Sequence, residues 1–473
     1  LGILDWTVGN GPNAERWFLD VASLAGDGWV DGASKASALA RLAWLYVTQN
    51  RGLAGRDAAI QALALPSGDL ESEHLAWSAL VLAEGRLRGA AAGLESLGSR
   101  IQADPSTVSS ADADLLVIRG TAHFYAGHAS AGATDLRAAI RLGRRSGVIT
   151  QLPRAHLQLS QLLIILGEWD EALVHGRLGL TLVVDDGQVW LEGQAHAALG
   201  SLLASRGEWE SAELHVEAAL RSAEVSGTDE AWFTARVAES AMARARNDPS
   251  GVITALAPLA GTGDSRSMTM LTSLGWWPPL IHALIDAGDT DAAEHHIRQF
   301  EKAASDRSLD VQARLHGLRA GLALAQGQPE RAADGFARAV SGLGPDDPML
   351  DRASVHHEYG RLLRARGRRS AALEQFRAAH ELLTKAGALP FRQRVDADLE
   401  ASGIRSGPTH YRSPLALTER EQDVAALVAK GMTNSEVATE LYISKKAVEY
   451  HLRNIFGKLG ITSRRQLIPE PTR

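Results

Sequence analysis

The sequence predicts an all-α chain, a long α-solenoid of helix pairs followed by a small four-helix head. Three observations predict it. A glycine-marked pattern returns about every forty residues. Apolar residues on either side of each mark fall at helical spacing. Toward the C-terminus both the rhythm and the charge change.

The repeat is clearest where "GEWDEAL" at Gly167 returns as "GEWESAE" at Gly207. The same slot holds Gly127, Gly288, Gly327 and Gly367, at intervals of 40, 40, 81, 39 and 40 residues. The 81 is a double step, and "NDPSG" from Asn247 fills the vacant slot with turn residues. Each slot lies between two apolar-periodic stretches, so it reads as helix, tight turn, helix, with glycine where the first helix must stop. Five residues after the glycine comes Ala172, Ala212, Ala293, Ala332 or Ala372. Seven further on comes Ala139, Ala219, Ala339 or Ala379. Small residues two turns apart on one face let helices approach closely, which marks these as packing positions. Less regular pairs around Gly85 and Arg56 extend the pattern to about nine pairs in all.

These features resemble tetratricopeptide repeats with a period stretched beyond the usual 34 residues. Most residues of such a stack serve only to build it. Its functional surface is the concave face, which solenoids present to peptides or small ligands. One irregularity falls at Trp276, Trp277, Pro278 and Pro279, where a first helix should run. Proline in a helix interior removes a hydrogen bond and clashes with the preceding turn, so this helix should start late or kink. The indoles are expected to pack at a repeat boundary. The weakened ladder beside them is the expected place for a change of curvature when a signal binds.

Composition narrows the function. With no cysteine, disulfides and cysteine-ligated metal centres are excluded, and a reducing, cytoplasmic setting is expected. No apolar run approaches membrane-spanning length, so no membrane partner is expected. There is no "GxxxxGK[ST]" phosphate loop, no "HExxH" and no "GxSxG". His295–His296 and His356–His357 are adjacent in sequence, so on a helix they diverge rather than converge on a metal. No enzyme, catalytic residue or metal site is expected. The net charge of −7 is unevenly spread. From Pro408 to Arg473 there are ten Lys and Arg against seven Asp and Glu, so an acidic body carries a small basic end piece. That asymmetry is expected when only the end piece meets a polyanion.

The solenoid is assigned to residues 1–402 and a Gly/Pro/Ser-rich linker to 403–416. The head covers 417–473. Thr418 with Glu421, and Thr433 with Glu436, are capping boxes that start its first two helices. Gly431 ends the first of them. Ser444 is the N-cap of the third, "SKKAVEYHLRNIFGKLG", which Gly460 closes, and "TSRRQL" begins a fourth. Two short helices joined by a tight turn, the second carrying the positive charge, describe a helix-turn-helix. Lys445 and Lys446 lie at the N-terminal end of their helix, where cations oppose the helix dipole. An external anion such as DNA phosphate accounts for that placement.

The stretch from "LTEREQDVAALVAKG" through "MTNSEVATELYISKKAVEYHLRNIFGKLGITSRRQL" resembles the LuxR-type (GerE-like) DNA-binding domain. The matching pieces are the "LT-RE" start, "G-TN-E-A--L-IS", "V--H---I--KL" and the final "SR". A long helical-repeat region ahead of such a head resembles the large ATP-binding, MalT-like LuxR regulators. The resemblance implies double-stranded DNA as partner, with the third helix in the major groove of an operator. It carries base reading onto Glu449, Tyr450 and Arg453, since Val448 and Leu452 must face the core. Lys445, Lys446, Asn454 and Lys458, with Thr433 and Asn434 from the second helix and Ser444 at the N-cap, are placed to hold phosphates.

The resemblance also implies a small-molecule or protein inducer on the solenoid, a homodimer on DNA, and RNA polymerase as a further partner. No cofactor is expected in this chain. ATP would belong to an N-terminal module absent from a chain that begins at Leu1. Two departures stand out. Ala447 replaces the family's usual Thr, and Pro469 cuts short the fourth helix, which weakens dimerisation through it. The expected function is a sequence-specific transcriptional regulator. The alternative is a repeat scaffold acting as a protein-interaction adaptor with a secondary or vestigial DNA-binding head.

Overall fold

The structure is a computed structural model describing residues 11–24, 31–49, 51–66, 69–102, 104–109, 112–146, 151–185, 189–226, 229–261, 274–306, 310–402, 419–429, 432–441 and 443–459. Among them every regular element is helical. None of the helices is long and apolar enough to cross a membrane. The chain divides into two units, residues 1–404 and 405–473.

In the first unit, α1 (Gly11–Leu24) precedes nine helix–turn–helix pairs, counted among the described residues. The first four are α2 (Gly32–Thr48) with α3 (Gly52–Leu63), α4 (Leu70–Arg88) with α5 (Ala90–Leu97), α6 (Ala113–Tyr125) with α7 (Ala129–Ser146), and α8 (Leu152–Leu166) with α9 (Trp169–Asp185). Next come α10 (Val189–Arg206) with α11 (Trp209–Ser226), α12 (Asp229–Ala245) with α13 (Pro249–Gly261), and α14 (Trp277–Asp286) with α15 (Thr290–Asp306). The last two are α16 (Gln312–Ala325) with α17 (Pro329–Gly342), and α18 (Met349–Ala365) with α19 (Arg369–Ala386). Helix α20 (Leu389–Ala401) follows them. First helices of successive pairs pack side by side, as α2 does on α4 and α10 on α12.

The marked glycines do end helices. Gly127, Gly167, Gly207, Gly288, Gly327 and Gly367 all have φ between 73° and 83°. At Gly167 the amide of Glu168 reaches Leu163 O at 2.9 Å and that of Gly167 reaches Ile164 O at 3.3 Å, closing two orphan carbonyls of α8. Asn247 makes the equivalent pair of bonds with φ 60°, so asparagine takes glycine's place in the vacant slot. The alanines five and twelve residues on are buried to 1% exposure or less, as packing positions require.

Two expectations about the pairs are corrected. Gly85 and Arg56 lie inside α4 and α3, and the breaks fall at Gly89 and at residues 49–51. Gly85 instead marks a close approach. A methyl group on Gly93 of α5 would come within 2.8 Å of Val81 O and 3.3 Å of Gly85 Cα. The weak ladder expected beside Trp276 is also corrected. Helix α14 starts late, so Pro278 and Pro279 sit in its first turn, where amides have no intrahelical partner to lose. Trp276 and Trp277 are buried, with ring centroids 4.1 Å apart, and they belong to the apolar core of pairs six to eight.

The last helices return onto earlier pairs of the same unit and form a seam. Met349, at the start of α18, packs on the turn at Gly167, where an added methyl would meet its Cγ at 2.9 Å. Pro390, at the start of α20, lies against the turn at Gly207 in the same way, at 3.3 Å. The Arg394 guanidinium donates to Arg244 O at 2.9 Å and Ala245 O at 2.6 Å, capping the C-terminus of α12. Ser130 N donates to Asp346 Oδ1 at 2.7 Å across 216 residues of sequence. Arg244 and Arg314 both approach the Asp351 carboxylate, at 3.7 and 3.0 Å.

Clasps within pairs carry a pH dependence. His156 and His175 hydrogen-bond through their Nδ1 atoms at 2.7 Å, His196 and His215 at 2.8 Å, and His356 reaches Gln375 at 2.8 Å, each across 19 residues. In a histidine pair one ring must donate and the other accept, so the accepting ring is neutral. Burial, then His196 and Arg177, hold His215 down at about 4. Burial also lowers His196, with Arg221 acting the same way and Glu192 opposing. An unfolded histidine titrates near 6.5. Between pH 6.5 and 4 the unfolded chain therefore binds more protons, and stability falls as pH falls through that window. Replacing His215 by Gln, the residue used at position 375, should shrink the loss of thermal midpoint between pH 7 and 4.5 by a few degrees. Melting curves of both proteins across that range check it, and parallel curves would refute the assignment.

Candidate nucleic-acid interface

Three helices of the second unit are described: α21 (Glu419–Ala429), α22 (Asn434–Glu440) and α23 (Lys445–Leu459). They pack around Val424, Val428, Val437, Val448, Leu452 and Ile455, each between 0% and 6% exposed. Val448 and Leu452 face the core as the residue spacing requires. Thr433 caps α22: Glu436 N donates to Thr433 Oγ1 at 3.3 Å, and Thr433 N donates to Glu436 Oε2 at 2.6 Å. This reciprocal pair satisfies two orphan amides and fixes where α22 begins. The turn after α22 closes with Ile443 N on Ala438 O at 2.9 Å. Ser444 Oγ then accepts from Ala447 N at 3.1 Å, starting α23.

Lys445, Lys446, Glu449, Tyr450 and Arg453 are all exposed. At 100° per residue they share one arc of about 140°, and Val448, Leu452 and Ile455 occupy a separate arc. The core therefore anchors α23 along one side and turns a face carrying three cations, one carboxylate and one phenol outward. Asn454, half-buried, borders that face, and Thr433 and half-buried Asn434 lie at the start of α22. Lys458 lies within α23, and its side chain is outside the described residues. By the same periodicity it falls off the exposed arc. Thr418, Gly431, Gly460 and "TSRRQL" also lie outside the described residues, as does the linker.

Two amide-capped helix starts, a fixed turn and one outward face give the geometry of a helix-turn-helix. Residues 415–469 match the family described as bacterial regulatory proteins, luxR family. The spore germination protein GerE of Bacillus subtilis is 40% identical over 60 residues, 13% of this chain and 81% of that protein. The chain belongs to the LuxR family. The nitrate/nitrite response regulator protein homolog of Haemophilus influenzae is 42% identical to this LuxR-family chain over 57 residues, covering 12% of it and 27% of the homolog. A chain from Mycobacterium bovis named for an HTH-type transcriptional regulator is 41% identical over 58 residues. The LuxR-family chain matches 7% of that relative's length.

The helical repeats have a separate likeness. The crystal structure of a Rap protein complexed with competence and sporulation factor covers 74% of this chain and 98% of its own, at TM-score 0.55 and 11% identity. That likeness supports the tetratricopeptide-like solenoid fold.

Residue patterns had not pointed to the histidine clasps. Their signal is present in the sequence, because His156 and His175 recur forty residues later as His196 and His215. The adjacent pair His356–His357 does diverge, His356 toward Gln375 and His357 toward Asp398. Among the described residues no group of three or more His, Asp or Glu is placed to hold a metal ion.

Proposed function

We propose that this LuxR-family chain is a sequence-specific DNA-binding transcriptional regulator whose solenoid receives a signal and controls the head. The observation that carries the DNA-binding part is the outward face of α23, anchored by Val448 and Leu452 and opened by two lysines at the helix's positive end. Lys445 and Lys446, with Thr433, Asn434, Ser444 and Asn454 nearby, are assigned to phosphates, and the same role is proposed for Lys458. Arg453 is assigned to a guanine through its two-pronged donor edge, Glu449 to a cytosine amino group and Tyr450 to a thymine methyl. For the solenoid, support comes from the likeness in fold to a Rap protein that was solved with a bound factor. ATP is assigned no site in this chain.

The test is a titration of the whole chain with duplex DNA over a range of salt concentrations. With about four phosphates neutralised per head, the log–log slope should be roughly −3 to −4. A slope indistinguishable from zero would remove the DNA-binding assignment.

A further inference from the structure

The seam places one segment of the chain in the position of a ligand. Pro390 sits on the turn at Gly207, and Phe391 packs against the apolar core of α10 to α12. The Arg394 guanidinium lies 4.9 Å from the Phe391 ring centroid and that of Arg244 lies 5.7 Å from it, so two cations flank one aromatic ring. Arg394 also caps both carbonyls at the end of α12. Everything on the receiving side belongs to α10, α12 and the turns that follow them: an open turn, an apolar patch, a guanidinium and two carbonyls at a helix's negative end. Everything on the donating side lies within five residues, Pro390 to Arg394.

This seam differs from the contacts inside a pair. Pairs are held by fully buried Phe300, Phe336 and Phe376 and by many leucines. The α20 side of the seam is held by a half-buried ring, a proline edge and hydrogen bonds from one side chain. A contact of that kind exchanges with a competitor at far lower cost than a pair unfolds.

We propose that the surface formed by the turn at Gly207, the end of α12 and Arg244 is a peptide-docking site, occupied in this structure by the chain's own α20. The partner it fits is a segment presenting an aromatic ring followed one helical turn later by an arginine. Such a segment takes the site by displacing α20. The surface stands on the seam geometry alone, and its role as the signal's point of entry rests on the regulatory function proposed above.

The probe is a fluorescein-labelled peptide of residues 387–401, "GALPFRQRVDADLEA", added to the full chain. In wild type α20 competes with it. In R394A the internal competitor is weakened while Pro390 and Phe391 keep their places. The R394A chain is expected to bind the peptide at least tenfold more tightly than wild type, and its 389–401 amides to exchange at least tenfold faster. The same peptide carrying Ala for both Phe391 and Arg394 should bind at least tenfold more weakly.

Equal binding of native and substituted peptides would overturn the proposal. So would an R394A chain whose α20 amides are exposed but which binds neither peptide, or one whose exchange is unchanged. Circular dichroism confirms the fold of R394A. Arg394→Lys, which keeps a donor for the α12 carbonyls, is the second variant, expected between the two. Operator binding with and without saturating peptide separates the two readings. A bound peptide that leaves operator affinity unchanged upholds the docking site and removes control of the head by the solenoid.

Discussion

Replacing Arg453 by Ala is expected to weaken binding to the preferred duplex by about 1–3 kcal/mol and to relax preference at one base position. Lys446→Ala is expected to weaken binding to all duplexes alike and to reduce the salt slope by about one. The contrast follows from position on α23. Arg453 lies two turns along the exposed face, where a guanidinium can present paired donors to a base edge. Lys446 lies in the first turn, where a point charge meets the backbone. Neither residue contributes to the core of the head, so both variants should keep wild-type melting behaviour. A panel of duplexes differing at single positions reads the difference. Identical losses for the two variants across the panel would mean that the division between base and phosphate contacts is wrong.

Phe376→Ala is expected to cost about 3–5 kcal/mol, the usual penalty for emptying a buried aromatic site. Phe376 is fully buried in α19 and fills the space above Gly360 of α18. A methyl on Gly360 would come within 2.6 Å of its ring. Gly360→Ala alone should therefore destabilise by overpacking, about 1–3 kcal/mol. In the double variant the new methyl enters the space the ring has left. The two changes should then cost less together than the sum of each alone, with a coupling of about 0.5–3 kcal/mol. Denaturant unfolding of the four proteins closes the cycle, and strict additivity would show that ring and glycine do not share one space.

Much of this architecture was legible because glycine at a left-handed helix end has a local cause. Gly167 ends α8 through bonds made within five residues, so its spacing to Gly207 announces the pair before any packing is known. The alanines at 172 and 212 are legible for the same reason, since small size on one helix face has few uses other than close packing. In the head, the spacing of Val448, Leu452 and Ile455 decides which side of α23 is outward, and the capping residues decide where it starts.

The irregular N-terminal pairs were less legible. Gly85 carries no turn, and its use is a close approach to Gly93, a tertiary fact with no periodic signature. Pro278 and Pro279 were misplaced by one turn. A proline is disruptive or harmless according to where the helix begins, and that start is set by the burial of both indoles in tertiary packing. The seam was invisible, because nothing in the spacing of Pro390 or Arg394 tells which distant turn they will meet.

That seam also constrains how many repeats the chain can hold. In an open solenoid each unit touches only its neighbours, so units can be gained or lost in evolution with little penalty. Here Met349 and Pro390 must land on the turns at Gly167 and Gly207, and Arg394 on the end of α12. Deleting one forty-residue unit between them would bring each of the three to the wrong address, like a thread cut one pitch short. The repeat number is thus locked by closure, and length variation is confined to the units before the sixth residue group of the ring begins at α8.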